Sequence, residues 1–209
     1  MNNTMEFNKV DEILLNAYAP NELLASLHLG ELIRKNNDLN LRVKLSKHCY
    51  EEARHASIWY NLISKLNMPL LDTTNSKKKK SYWQYINNKE DLIEFLSALH
   101  IYELRVPFHF SIHSKFTKSQ EIKNVLIDLI KEEGPHLSWI REYLKKEINK
   151  GNNLVKKNIK KFLIIERKNY IEDLEIVKKI GLEGEEFVKM ILKEIENQNK
   201  FMEKVTKFE

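Results

Sequence analysis

The chain has 209 residues, of which 42% are hydrophobic and 31% are charged, with only 5 glycines and 4 prolines. So few chain breakers among long mixed apolar and charged stretches favour an all-α protein, and the single cysteine, Cys49, excludes an internal disulfide and a Cys₄ metal site. The net charge of +5 arises from 35 basic and 30 acidic residues that are interspersed, so the charge alone does not indicate a nucleic-acid-binding protein.

The first 15 residues lack the basic start and the unbroken apolar stretch of a signal peptide. No stretch of about 18 apolar residues occurs that could cross a membrane. With one cysteine, these features predict a soluble, cytoplasmic protein with no membrane partner.

Helical periodicity begins near residue 9, and Pro20 either kinks the first helix or starts its second half. The turn at 36–38 carries a candidate N-cap, and Gly151 follows a basic last turn as a helix stop. The sequence from Thr117 to Gln120 has the spacing of a capping box for the fourth helix. The six predicted helices lie at about 9–36, 39–66, 89–116, 117–150, 154–180 and 183–207.

The segment 67–88 is the only long connection, and its lysine run at 77–80 has the character of a solvated loop. The order is therefore a helical hairpin, a long crossover, a second hairpin and an appended pair. This predicts a single helical domain over 1–209, with a four-helix bundle at 10–150 and an additional helical hairpin at 151–209.

Two glutamate–histidine pairs share the spacing Glu-x-x-His, namely Glu52 with His55 and Glu133 with His136. Residues i and i+3 of a helix lie on one face, so each pair can bind one metal ion. Chance supplies such pairs in a glutamate-rich chain, so the pairs alone are weak evidence.

The hairpin spacing strengthens this prediction. Glu22 lies 30 residues before Glu52, and Glu103 lies 30 residues before Glu133. The midpoints fall in the two predicted turns, so each arm is about 22 Å long and an antiparallel hairpin sets its two glutamates level. The result is two half-sites, each with two carboxylates and one imidazole, which suit iron or manganese.

The alternative is that these are ordinary surface glutamates and helix histidines. Leucines next to Glu22, at positions 23, 24 and 27, count against a polar surface there. Four buried glutamates without a metal would also repel one another.

At these residues the chain resembles the ferritin-like di-iron carboxylate superfamily, over roughly residues 10–150. The resemblance implies a ferritin-like four-helix bundle and two bound iron ions, with manganese or a mixed Mn/Fe pair as alternatives. Glu52 and Glu133 would then bridge the metals, with Glu22 and Glu103 as terminal ligands. His55 and His136 would each bind one ion.

Departures from individual families narrow the implied function. Rubrerythrins that reduce peroxide usually carry a further glutamate where this chain has Val106, and a Cys₄ site that one cysteine excludes. The chain length and the hairpin spacing resemble those of aldehyde-deformylating oxygenases and of tRNA hydroxylases. Trp59 stands where ribonucleotide reductases carry a radical tyrosine, and packing rather than redox chemistry is its predicted role.

The resemblance therefore implies an O₂-activating di-iron oxygenase or oxidase that acts on a small or medium organic substrate. An external electron donor would supply its electrons. The six ligands would form its catalytic centre, and a homodimer is compatible with the pattern. Three alternatives stay open: a ferroxidase or peroxidase, a tRNA hydroxylase whose basic face includes the lysines at 77–80, 156, 157, 160 and 161, and a metal-free RNA-binding or interaction module.

Overall fold

The structure is a computed structural model, and it describes residues 7–71, 82–86, 91–179, 193, 196–204 and 206–208. In these ranges every regular element is a helix and no strand occurs. A short 3-10 helix spans Tyr82–Tyr85. The α-helices whose two ends both lie in these ranges are α1 Lys9–Lys35, α2 Leu39–Lys65, α3 Leu92–Phe116, α4 Gln120–Asn149 and α5 Leu154–Lys179.

Short polar side chains determine where several helices begin. The Asn8 side chain accepts a hydrogen bond from the amide of Asp11, and the Asp11 carboxylate accepts from the amide of Asn8, which forms a capping box for α1. Asp38 caps α2, as predicted, and Asp91 accepts hydrogen bonds from two amides at the start of α3. Gly151, with φ +86, follows α4 and confirms the predicted stop.

The predicted capping box from Thr117 to Gln120 is wrong, because the residue that caps α4 is Ser119 and not Thr117. The helix starts at Gln120, and the Ser119 hydroxyl accepts from the amide of Ile122 at 3.4 Å. The Gln120 side chain donates to Asn124 instead of reaching back to the helix start. Ser119 is itself a good N-cap residue and stands nearer to the first helical turn, so it displaces Thr117.

Three helices contain an internal proline, and each continues through it: Pro20 in α1, Pro107 in α3 and Pro135 in α4. A proline removes one backbone donor, and the intact turns on either side keep a long helix continuous. Because α1 is one helix from Lys9 to Lys35, Pro20 does not start a separate second half, and a kink at Pro20 stays a prediction.

Two compact units make up the chain. The first consists of Met1–Lys79 and His113–Lys131. Here α1 packs along α2, and the buried apolar residues include Leu15, Leu29, Leu45 and Leu126. The polar core residue Asn16 donates to the carbonyl of Pro69 and accepts from the amide of Leu71, which fixes the chain leaving α2.

The second unit consists of Lys80–Ile112 and Glu132–Glu209. At its centre the buried Arg105 guanidinium donates to both carboxylate oxygens of Glu166 on α5. The same guanidinium donates to Gln198 at 2.6 Å and to Asn199 at 2.8 Å. Arg105 therefore ties α3 to α5 and to the segment 196–204.

The remaining predictions about the chain end and the crossover are tested only in part. Within the predicted sixth helix at 183–207, residues 193 and 196–204 are helical, whereas 206 and 207 form a turn, so the prediction extends too far at this end. The other residues of that span lie outside the described residues. The lysine run at 77–80 also lies outside them. Across the portions that the structure covers, no helix is both long and apolar enough to cross a membrane. The division into 10–150 and 151–209 stays a prediction.

Candidate metal centre

The N-terminal half-site lies wholly within the first unit. Glu22 comes from α1, and Glu52 and His55 come from α2. One potential ligand atom from each of these three residues lies within 4.8 Å of the others. All three side chains are buried, with exposed fractions of 2%, 1% and 0%. The short turn between α1 and α2 thus brings together the three residues that the hairpin spacing pairs.

His48 joins this half-site, although the sequence argument left it unassigned. Its Nε2 lies 3.2 Å from Oε1 of Glu52, and both side chains are 1% exposed. His48 precedes Glu52 by four residues on α2, so the two share a helix face. A search for Glu-x-x-His pairs misses this contact, whereas a search for histidines at i−4 would have found it.

The C-terminal half-site lies wholly within the second unit. Glu103 comes from α3, and Glu133 and His136 come from α4. Nδ1 of His136 lies 3.3 Å from Oε2 of Glu133 and 3.7 Å from Oε2 of Glu103. Each residue is 1% exposed. All six predicted ligands are therefore buried, three in each unit, and their role as ligands stays a prediction.

The C-terminal half-site strongly favours a positive charge. Burial lowers the pKa of His136, but hydrogen bonds and charge interactions with Glu103 and Glu133 outweigh it and raise that pKa to about 12. A protonated His136 offsets one of the two carboxylate charges. A metal ion that binds His136 has to displace this proton, as is usual for histidine ligands.

The donor chemistry of both half-sites fits a divalent metal ion. Each half-site offers carboxylate oxygens and an imidazole nitrogen, which are donors that iron and manganese accept. Buried carboxylates without a counter-charge are expensive, since water no longer solvates them. A cation removes this cost, so the residues present fit the metal that the sequence predicts.

Aromatic side chains pack next to the N-terminal half-site. Trp59, which is fully buried, follows His55 by one helical turn, and Tyr18 precedes Glu22 by one turn. The two ring centroids are 5.2 Å apart. The Tyr18 ring centroid is also 5.8 Å from that of His113, whose Nε2 is 2.8 Å from Oδ1 of Asp11. Trp59 thus has the packing partner that a core role requires.

One lysine of the basic face that was predicted for a tRNA hydroxylase has partners within the second unit. Lys161 is bound to Oε1 of Glu94 at 2.7 Å and to the carbonyl oxygen of Tyr85 at 2.9 Å, so its charge is engaged within the second unit. The lysines at 156, 157 and 160 are exposed. Of the four α5 lysines that the prediction assigns to this face, Lys161 therefore has a structural role.

No family model, curated protein or solved structure matches the chain. What the chain has in common with a known class is its helical architecture and its buried groups of histidine and glutamate that could hold a metal. These features are compatible with a ferritin-like di-iron fold.

Proposed function

We propose that the chain is a di-iron oxygenase or oxidase that acts on a small or medium organic substrate and takes electrons from an external donor. The observation that carries this proposal is the pair of buried half-sites, each with two glutamates and one histidine. A single Glu/Glu/His group is unremarkable in a helical protein. Two such groups in one chain, with the same spacing between their glutamates, are typical of a two-metal protein.

In this proposal Glu22, Glu52 and His55 hold one iron ion, and Glu103, Glu133 and His136 hold the other. When bound, the iron pair would supply the electrons and the Lewis acidity needed for O₂ reduction.

The protein's own residues have distinct tasks around the ions. His48, against Oε1 of Glu52, fixes the direction of that carboxylate, as partners of metal ligands usually do. Trp59 and Tyr18 fill the space one turn from the N-terminal half-site and exclude water from that side. To bind a metal, His136 would have to release its proton, so metal affinity should fall as the pH is lowered.

The test is exposure of anaerobically iron-loaded protein to air. We expect O₂ uptake and a new near-ultraviolet absorption band in the wild type, and neither in Glu52→Ala. The exposed glutamate Glu31 on α1 provides the control, since Glu31→Gln leaves the half-site untouched. Iron that binds without any O₂ uptake would overturn the oxygenase proposal. Iron that is oxidised at high ratios per chain and stored would favour the ferroxidase alternative.

A further inference from the structure

His100 is a buried polar residue close to the C-terminal half-site. It is 1% exposed and precedes Glu103 by three residues on α3. Among the described residues neither of its ring nitrogens has a hydrogen-bond partner. Leaving such a group unsatisfied costs about 1–3 kcal/mol. A buried imidazole without a partner is therefore a candidate for contact with a bound molecule.

Arg141 on α4 lies close to the same place. Its Cζ is 5.7 Å from the centroid of the Phe208 ring, and this ring lies 5.8 Å from the ring of His100. Arg141 is half-buried, and within the described part of the chain no carboxylate forms an ion pair with it. Both polar groups thus lie within about 6 Å of the same ring centroid, and all three residues belong to the second unit.

The charges of the two groups differ. Burial and the charge of Arg141 lower the pKa of His100 to about 4, against an opposite effect of Glu103. The imidazole is therefore neutral near pH 7 and offers one N–H donor and one acceptor nitrogen. The guanidinium remains a cation with several donors in one plane.

We propose that Arg141 and His100 bind a carboxylate group of the organic substrate beside the C-terminal half-site. A guanidinium matches the two oxygens of a carboxylate, and the imidazole N–H can donate a further hydrogen bond. The Phe208 ring supplies an apolar wall for the carbon chain. A single cation balances a monoanion, whereas a phosphate dianion would keep an uncompensated charge.

That the bound molecule is a substrate rests on the proposed function. The consequence is a limit on where the substrate reacts. His100 and Glu103 are one helical turn apart, about 5 Å along the axis. The oxidised carbon should therefore lie only a few bonds from the carboxylate.

The experiment is a titration of the full chain, with its iron content recorded, using hexanoate, hexanamide and inorganic phosphate as probes. Binding is followed by calorimetry and by the NMR signals of the His100 ring. We expect hexanoate to bind and to shift the His100 signals, and hexanamide and phosphate to bind more weakly. Arg141→Gln should weaken hexanoate binding about 10- to 100-fold, the range for a charged hydrogen bond. The exposed residue Arg42 supplies the control variant Arg42→Gln, which should leave binding within about twofold of the wild type.

Four results would overturn the inference: no binding of hexanoate, equal binding of hexanoate and hexanamide, tighter binding of phosphate than of hexanoate, or unchanged binding in Arg141→Gln. If Arg141→Gln does not fold, Arg141→Lys keeps the charge and removes the planar fork, and it should still weaken hexanoate binding. The two proposals fail separately. If the chain binds hexanoate but takes up no iron, the oxygenase proposal is wrong and the carboxylate site is retained. If it takes up iron but does not bind hexanoate, the carboxylate site is wrong and the oxygenase proposal is retained.

Discussion

Replacing Glu22 with glutamine should stabilise the metal-free protein and weaken its response to metal. Ligand atoms of Glu22 and Glu52 lie within 4.8 Å of each other in the N-terminal half-site. Two negative charges at that distance repel by about 3.5 kcal/mol at an effective dielectric constant of about 20. Nearby histidines offset part of this repulsion, so we expect Glu22→Gln to raise the unfolding free energy by about 1–3 kcal/mol. For a chain of this size that gain raises Tm by about 2–12 °C.

Metal should reverse the order of stability. A metal ion present at about 100 times its Kd stabilises the folded wild type by about 2.7 kcal/mol. Glu22→Gln has lost a charged ligand, so the same metal concentration should stabilise it much less. The variant is therefore expected to be the more stable protein with a chelator and the less stable one with metal.

The assay is thermal and urea unfolding of both proteins, once with a chelator and once with ferrous iron under anaerobic conditions or with Mn²⁺. Glu31 is exposed on the same helix, so Glu31→Gln is the matched control and should change stability by no more than about 0.5 kcal/mol in either condition. The reasoning is refuted if Glu22→Gln is less stable than the wild type without metal, or if metal raises both Tm values equally.

Two further predictions concern buried ion pairs. Arg105→Met should lower the free energy of urea unfolding by about 3–5 kcal/mol, because it removes the guanidinium that pairs with the buried Glu166. The control is Arg167→Met, which removes a pair whose side chains are both 50% exposed and should cost less than about 1 kcal/mol. Equal losses in the two variants would contradict this prediction. Burial raises the pKa of Asp11, but hydrogen bonds from His113 and from the backbone at the start of α1 outweigh it, so the net pKa lies below 3.8. A carboxyl group with a depressed folded-state pKa stabilises the protein above its unfolded pKa, and this contribution is lost as the pH falls through the folded value. The unfolding free energy of Asp11→Asn, measured from about pH 2 to 6, should therefore fall less steeply below about pH 4 than that of the wild type, and parallel profiles would count against the pair.

The helix bounds were readable from the sequence because they depend on neighbours along the chain. The first helix was predicted at 9–36 and is observed at Lys9–Lys35, and the second was predicted at 39–66 and is observed at Leu39–Lys65. The capping error at Thr117 arose where two suitable cap residues stand close together. There the choice depends on the geometry of the first turn and not on residue type alone.

Burial of Glu22 was predicted, but one reason given for it was incorrect. The neighbouring leucines Leu23 and Leu27 are 40% and 57% exposed. They lie one and five residues after Glu22, so they point to another side of α1, and the buried residues Ala25 and Leu29 are nearer its face. The hairpin spacing was the sound part of the argument.

Contacts between distant parts of the sequence could not be predicted. Arg105 pairs with residues 61 and 94 positions away, and no periodicity connects such positions. The Arg141–Phe208 contact has the same character. Local spacing predicts which residues share a helix face, whereas the partner of that face is known only once the chain is folded.

The measurement that most directly tests the central claim is the amount of metal bound per chain. The protein is incubated with ferrous iron without oxygen, freed of excess metal and analysed by elemental mass spectrometry. Two iron ions per chain in the wild type, and a clear loss in Glu52→Ala and in His136→Ala but not in Glu31→Gln, are the predicted results. A correctly folded wild-type chain that binds no iron or manganese would contradict the account, because the buried glutamates and histidines would then have no metal to hold.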